Sequence, residues 1–535
     1  MNSSQAERFQ KQLEAHVNNQ LSKWVGAIPM VMPIFRELNL SQIVDKHCPG
    51  KEAVNHGTTV MALALNRLLS PRPLYKVGEW LGGTILEDVL GVEAAQMYDS
   101  RLGRTLDDIY PHLEAIWQDV VVQAVVAHDI DLSQIHYDIT SIFFEGEYEE
   151  SDTIGYGYSR DNRPDAKQLN LGMNVTGKAG IPLAYRVLAG RTADRTTPLE
   201  NMRALKQLFG RLEAASTERA FLLVSDRAML DRAVLVAYEQ KGVHWLGPLS
   251  ADGSLREVLA SVSNEELAKH PLDYRPVSQP KDEPPRYYGL LKEATIAHEG
   301  QEAAIQVLVV KSRTKVKLDR DRRATYLGRL TDRLEAIQDM LNTRRYKRKS
   351  YAQKQIDKAL RGNPAKRFVK VTLTGEDGNL ALTFRIDEEK LAEAAELDGR
   401  YLLGTNRFSL NADRMLVRFK RQEVVERRIK TVKGPIQVRP LFLHKQERVE
   451  GLVFVTMLAL LVYTILEMLC RRAGKHITAR QVLERFELLA ATYIQFGDGS
   501  WLKLPSALNE AQQQLIDLLR FPPPGTYFGA TEALQ

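Results

Sequence analysis

Three carboxylates stand where chemistry could use them. Asp138 sits in the middle of Ile135-His136-Tyr137-Asp138-Ile139-Thr140-Ser141-Ile142-Phe143-Phe144, a run of β-branched and aromatic residues that reads as a buried strand. A charge on such a strand is costly unless a metal ion or a basic group neutralises it, and a salt-bridged or edge-strand Asp is the plain alternative. Asp226 closes the apolar run Ala220–Ser225, at the strand end where open α/β sheets bind ligands. Glu426 lies on Met415–Val432, which reads as one helix rich in Arg and Lys. Phe419, Gln422, Glu426 and Lys433 follow one another at spacings of 3, 4 and 7 and so share one face of it. A charged surface helix would carry the same residues. Hard oxygen donors from separate elements suit Mg²⁺. The scattered histidines and the two cysteines, Cys48 and Cys470, offer no zinc-ligand spacing and no disulfide framework, and fit a reducing cytoplasm.

The elements that must position these acids follow from periodicity. Residues 1–130 read as helical: Met32–Cys48, a helix capped by Thr58 or Thr59 and stopped after Leu69 by Pro71 and Pro73, then Leu74–Leu81, Leu102–Tyr110 and Leu113–Val126. This suits a DNA-binding helical module, and equally a dimerisation or packing domain. From Ile135 the pattern becomes strand, a polar loop Tyr156–Asp165, a hairpin Gln168–Thr176 and Ile181–Ala189, helix Thr197–Leu212, the Asp226 strand, helix Met229–Glu239 and strand Val243–Leu246. That is the element order of an RNase H-like fold, in which the first and fourth strands are neighbours. Gly172–Ala179 nearly matches a phosphate-binding loop. It fails because Ala179 replaces the Ser or Thr and the context is strand-turn-strand.

Residues 250–405 interrupt this series with strands Tyr287–Ile296 and Ala304–Val310, helices Leu318–Leu341 and Tyr351–Leu360, a hairpin Phe368–Thr374 and Leu380–Ile386, helix Asp387–Glu396 and strand Tyr401–Leu403. The expected organisation is a helical domain at 1–130 (the candidate DNA-binding domain), a first core segment at 131–249, a mixed β-rich insertion at 250–405, and a second core segment with C-terminal helices at 406–535.

At 535 residues the chain has room for two to four domains. The net charge is only +6, but residues 311–370 hold 20 Lys and Arg against 6 Asp and Glu, a local +14 that leaves −8 elsewhere. Arg344, Arg345, Lys347, Arg348 and Lys349, flanked by Arg322, Arg323, Lys354 and Arg361, form its centre. Such a block fits a polyanion on one face, or a solvated helix surface. Met1–Glu7 carry no signal-peptide pattern. Leu452–Leu469 is long and apolar enough to suggest a membrane span, but Glu467 and two threonines interrupt it, so a core helix and no membrane partner are expected.

Tyr137-Asp138-Ile139-Thr140, the segment Tyr156–Gln168 (Tyr-Gly-Tyr-Ser-Arg-Asp-Asn-Arg-Pro-Asp-Ala-Lys-Gln) and Val224-Ser225-Asp226-Arg227 together resemble DDE transposases of bacterial insertion sequences. Val425–Lys433 and Val438–His444 resemble the third-acid region of the same group, and Gly26–Pro29 and Leu65–Leu69 its helical N-terminal domain. The likeness runs from about residue 26 to 520.

The resemblance implies an α/β fold with an RNase H-like catalytic core, and Asp138, Asp226 and Glu426 as catalytic triad and metal ligands. It implies two Mg²⁺ ions (or Mn²⁺), Asp138 bridging both. The signature around the glutamate is degenerate: Phe419 and Gln422 replace its Tyr and Arg, while Glu426 and Lys433 match. Arg421 is the expected substitute for the missing Arg. The DNA contacts expected are Arg344, Arg345, Lys347, Arg348, Lys349, Arg421 and Lys433. Partners would be double-stranded transposon ends and target DNA, with a homodimer in the synaptic complex, in a bacterial cytoplasm at the nucleoid. A nuclease of the same fold, or a transposase-derived DNA-binding protein without strand transfer, is the alternative.

Overall fold

The structure is a computed structural model that describes residues 17–50, 52–144, 148, 151–215, 221–276, 279–280, 283–436, 443, 445–497 and 499–528. Met1–Glu7, Ala220 and all of Val438–His444 except Leu443 lie outside the described residues.

The chain opens with strand β1 (Val17–Trp24), then helices α1 (Ile28–Glu37), α2 (His56–Leu69), α3 (Asp99–Ile109) and α4 (Leu113–His128). Asn55 caps α2 by accepting from the Thr58 N–H, so the helix starts ahead of the expected threonine caps. Next come β2 (Gln134–Phe144), β3 (Lys167–Thr176), β4 (Pro182–Ala189), α5 (Pro198–Ala215), β5 (Leu222–Ser225), α6 (Arg232–Gln240) and β6 (His244–Leu249). The middle of the chain forms β7 (Tyr287–His298), β8 (Gln301–Ser312), α7 (Arg313–Met340), α8 (Lys349–Leu360), β9 (Val369–Glu376), β10 (Asn379–Ile386), α9 (Glu388–Glu396) and β11 (Arg400–Thr405). The last part is α10 (Ala412–Lys420), α11 (Glu423–Lys433), α12 (Gln446–Arg472), β12 (Ala490–Phe496) and β13 (Trp501–Pro505).

These elements form two compact units, Met1–Val224 with Arg421–Gln535, and Ser225–Lys420. The divisions fall earlier and later than the expected 250 and 405, so α6, β6 and α10 lie in the second unit. Three local expectations are corrected. The N-terminal region is not wholly helical, because β1 pairs antiparallel with β12. The C-terminal segment likewise carries the β12–β13 pair. The single helix expected over Met415–Val432 is two helices, because at Arg421 and Gln422 the backbone closes three-residue hydrogen bonds to Val424 N and Val425 N instead of helical ones. Phe419 is therefore on α10, whereas Glu426 and Lys433 are on α11, which Gln422 immediately precedes.

In the first unit the strands lie in the order β4-β3-β2-β5. β2 and β5, the first and fourth of the series, are neighbours as the element order predicts. β2 pairs antiparallel with β3, placing Asp138 opposite Met173 and His136 opposite Val175. Alternation puts His136, Asp138 and Thr140 on one face, and Tyr137, Ile139 and Ser141 on the other. On that other face the Tyr137 hydroxyl donates to Thr197 Oγ1, and Asn174 and Asn201 exchange two amide hydrogen bonds.

The core of this unit is α12. Its most apolar 18-residue window has a mean hydropathy of 2.3 and is 94% buried, packed against α1, α2, α3 and β4. The apolar run is thus a core helix, and it is the one helix among the described residues long and apolar enough to cross a membrane. Gly451 lets it approach Leu106 of α3, where an added Cβ would come within 3.1 Å, and Arg448 closes the contact with two hydrogen bonds to Asp107.

In the second unit the strands lie in the order β6-β11-β8-β7. Every neighbouring pair is antiparallel. The helices α7 and α8 and the β9–β10 hairpin enclose a separate core that includes Leu330, Leu334, Ile337, Ile356, Phe368 and Leu382. Gly375 and Gly378 turn that hairpin with φ of +89° and +87°, a conformation that disfavours side chains.

Candidate active site

Asp138 is half-buried at mid-strand, its Oδ1 accepting from the Ile139 N–H at 2.8 Å. Helix α11 docks onto its strand, on its face. The Gln422 carboxamide, just ahead of α11, bridges two groups of β2: Nε2 donates to the Tyr137 carbonyl at 3.1 Å, and Oε1 meets His136 Nδ1 at 2.8 Å. His136 and Asp138 share that side of the strand, and Glu426 is one helical turn beyond Gln422. Residues 286 apart in sequence are thus joined side chain to side chain. Glu426 itself is exposed and has no ion-pair partner among the described residues, although Arg421, Arg427 and Lys430 surround it in sequence.

His136 is completely buried. Its Nε2 accepts from Gln134 Nε2 at 2.8 Å, and its Nδ1–H donates to Gln422, so both ring nitrogens are used by a neutral imidazole. Burial, joined by the nearby Arg421 cation, outweighs the Gln422 hydrogen bond and pushes its pKa down to about 4. The unfolded chain therefore binds a proton near pH 6.5 that the folded chain refuses until about pH 4. Stability contributed by the neutral ring is complete above pH 6.5 and is lost as the pH falls toward 4, about 3 kcal/mol in all. Chemical denaturation between pH 7.5 and 4.5 should show this acid slope, and His136→Leu should flatten it. An equal slope in the variant would assign the loss to other groups.

The remaining candidates are distributed as follows. Asp226 is exposed, directly after β5, and opens the second unit. Lys433 is committed to an ion pair with Asp161 at 2.6 Å. Gln422 is buried and structural. Arg421, ahead of α11, is half-exposed and near enough to His136 to act on it as a cation. Arg344, Arg345, Lys347, Arg348 and Lys349 are all exposed in the second unit, on a turn fixed by Gly378 N to the Lys347 carbonyl and by Lys349 N to Asp377. None of the five has an ion pair among the described residues, whereas Arg323, grouped with them from sequence, is held bidentately by Asp398.

Buried polar groups set the position of α11. Arg428, buried on that helix, donates to the carbonyls of Ala179 and Gly180 in the β3–β4 turn and pairs with Glu467 of α12 at 2.8 Å. Burial lowers its pKa, an effect opposed by Glu467. Glu467 also accepts from Arg471 and from the Ala479 N–H. Among the described residues no three His, Cys, Asp or Glu side chains stand close enough together to hold a metal ion. The fit of a divalent ion therefore rests on donor chemistry alone: Asp138 and Glu426 are carboxylates, the oxygen donors that a hard cation takes.

The family model that matches this chain is a domain of unknown function (DUF4277), over residues 21–146, a span from β1 through β2 with Asp138. No curated protein matches. Solved structures similar to it include a piggyBac transposase synaptic complex with hairpin DNA, at 8% identity over 88% of this chain and 82% of that chain, with a TM-score of 0.40. A Mos1 transposase paired-end complex with the left transposon end matches at 13% identity, over 38% of this chain and 60% of that one, with a TM-score of 0.15.

Proposed function

We propose that this protein is a DDE transposase, cutting and joining DNA strands at the ends of an insertion sequence. The observation that carries the reading is the docking of α11 by Gln422 onto the Asp138 strand, with Glu426, exposed and without an ion pair among the described residues, one turn further on. The strand order β4-β3-β2-β5, third-second-first-fourth in the series, supports an RNase H-like core. Asp226 follows directly on β5 in the chain.

Asp138, Asp226 and Glu426 would hold divalent ions. Bound Mg²⁺ supplies nucleophile activation and charge stabilisation for in-line phosphoryl transfer. The chain's own residues do the positioning: Gln422 and neutral His136 fix the first turn of α11, Arg428 fixes its middle, and Arg421 leaves a cation near His136. The expected partners are element ends and target DNA, held by a homodimer in a bacterial cytoplasm.

The test is selection of bound ends from genomic DNA, followed by incubation with Mg²⁺ or Mn²⁺ and a supercoiled target. Joined products support a transposase. Cleavage without joining would make the protein a nuclease, and binding alone a DNA-binding protein.

The exposed turn Arg344–Lys349 is the proposed phosphate-binding element of the second unit. Replacing its five basic residues by Ala should weaken binding to all sequences alike. It should also lower the slope of log K against log salt by up to about 0.9 for each phosphate no longer neutralised. An unchanged slope would show the turn to be only a solvated surface.

A further inference from the structure

The loop between β2 and β3 carries two tyrosines that the fold leaves in solvent: Tyr156 is 62% exposed and Tyr158 is 84% exposed. Single exposed aromatics are ordinary. Here, however, the backbone beneath the pair is fixed on every side. Gly155 and Gln168 exchange backbone hydrogen bonds at 3.0 and 2.9 Å. Gly157, between the tyrosines, is pressed so closely on Gly190 that an added Cβ would stand 1.9 Å from its carbonyl oxygen. The buried Gln168 amide donates to the carbonyls of both Tyr158 and Gly190 at 3.0 Å. Beyond Tyr158, Ser141 Oγ accepts from Arg160 N, and Ser159 Oγ accepts from Arg163 N.

The result is two rings on a pinned backbone, with no ring or hydrogen-bond partner for either side chain among the described residues. Gly157 faces inward while its neighbours face outward. Tyr156 and Tyr158 are two residues apart, a separation of about 6.4–6.8 Å where a backbone is extended. Rings about that far apart offer a face to each side of one flat base, and base–aromatic stacking tolerates any sequence. The loop is tied to α11 through the Lys433–Asp161 ion pair and so belongs beside the candidate site. Arg191 and Arg195, exposed next to Gly190 and without ion pairs among the described residues, offer cations for a strand's phosphates.

We propose that Tyr156 and Tyr158 form a clamp for a single unpaired nucleobase of the DNA strand at this site. This rests on the DNA-processing reading given above. A pinned pair loses little freedom on binding, and stacking accepts any base.

The experiment uses the full chain in the Glu426→Gln background and DNA ends carrying 2-aminopurine at one unpaired position. Quenching of its fluorescence on binding is expected. Tyr156→Ala/Tyr158→Ala should abolish the quenching and weaken binding of these ends roughly tenfold. Tyr156→Phe/Tyr158→Phe should restore both, and Tyr75→Ala, an exposed tyrosine elsewhere in the unit, is the control. Equal quenching by the Ala variant would overturn the clamp, even if the wild-type protein cuts and joins DNA. Tyrosine-dependent quenching by a protein that never cleaves would uphold the clamp and remove the transposase reading instead.

Discussion

Glu426→Gln should reduce Mg²⁺-dependent cleavage and joining about a thousandfold or more while leaving binding to element ends nearly intact. The substitution keeps the size of the side chain and removes the charge that a hard cation requires. Nothing else depends on that charge: Glu426 is exposed and has no ion-pair partner among the described residues, so the fold should tolerate the change. Asp138→Asn and Asp226→Asn should behave alike, and pairs of these substitutions should be no worse than one, because the three would act as a unit. Glu423→Gln is the control, since Glu423 lies three residues earlier on α11 and is also exposed. A direct readout is the paramagnetic relaxation of bound Mn²⁺, which Glu426→Gln should weaken and Glu423→Gln should not. Wild-type cleavage by Glu426→Gln would sink the assignment and make Glu423 the next acid to test.

The strands and most helices are legible in the sequence because each follows from periodicity and turn residues that act locally. β2 and β3 begin and end within a residue or two of where their β-branched runs do. The β9–β10 hairpin turns at the two glycines that the sequence offers for it. β1 is not legible, because Val17–Trp24 has neither a β-branched run nor a marked alternation. It is a strand only because β12, more than 460 residues later, presents an edge to it. The break at Arg421 and Gln422 is equally hidden. Helical spacing continues through it, and what interrupts it is a long-range anchor, the Gln422 carboxamide seated on His136 and the Tyr137 carbonyl. In sequence Arg428 is one more surface cation among many on a basic helix, whereas its burial depends on a turn and a helix elsewhere in the chain.

The Arg428–Glu467 pair should be the most costly single interaction to break in the first unit. Glu467→Met should destabilise it by about 3–5 kcal/mol, since Arg428 would remain buried with its charge opposed only by two carbonyls. Arg428→Met should cost less, because Glu467 keeps Arg471 and the Ala479 N–H. The double Met variant should recover most of the loss, as apolar groups of similar size replace a desolvated pair in a core already built by α12. Denaturation midpoints of the four proteins measure the coupling, and hydrogen exchange of the α11 amides locates it. Exchange there should quicken in Glu467→Met, because Arg428 is what binds the middle of that helix to the β3–β4 turn and to α12. A loss below about 1 kcal/mol in Glu467→Met would show that water reaches Arg428 once its partner is gone, and that α11 is held chiefly by Gln422.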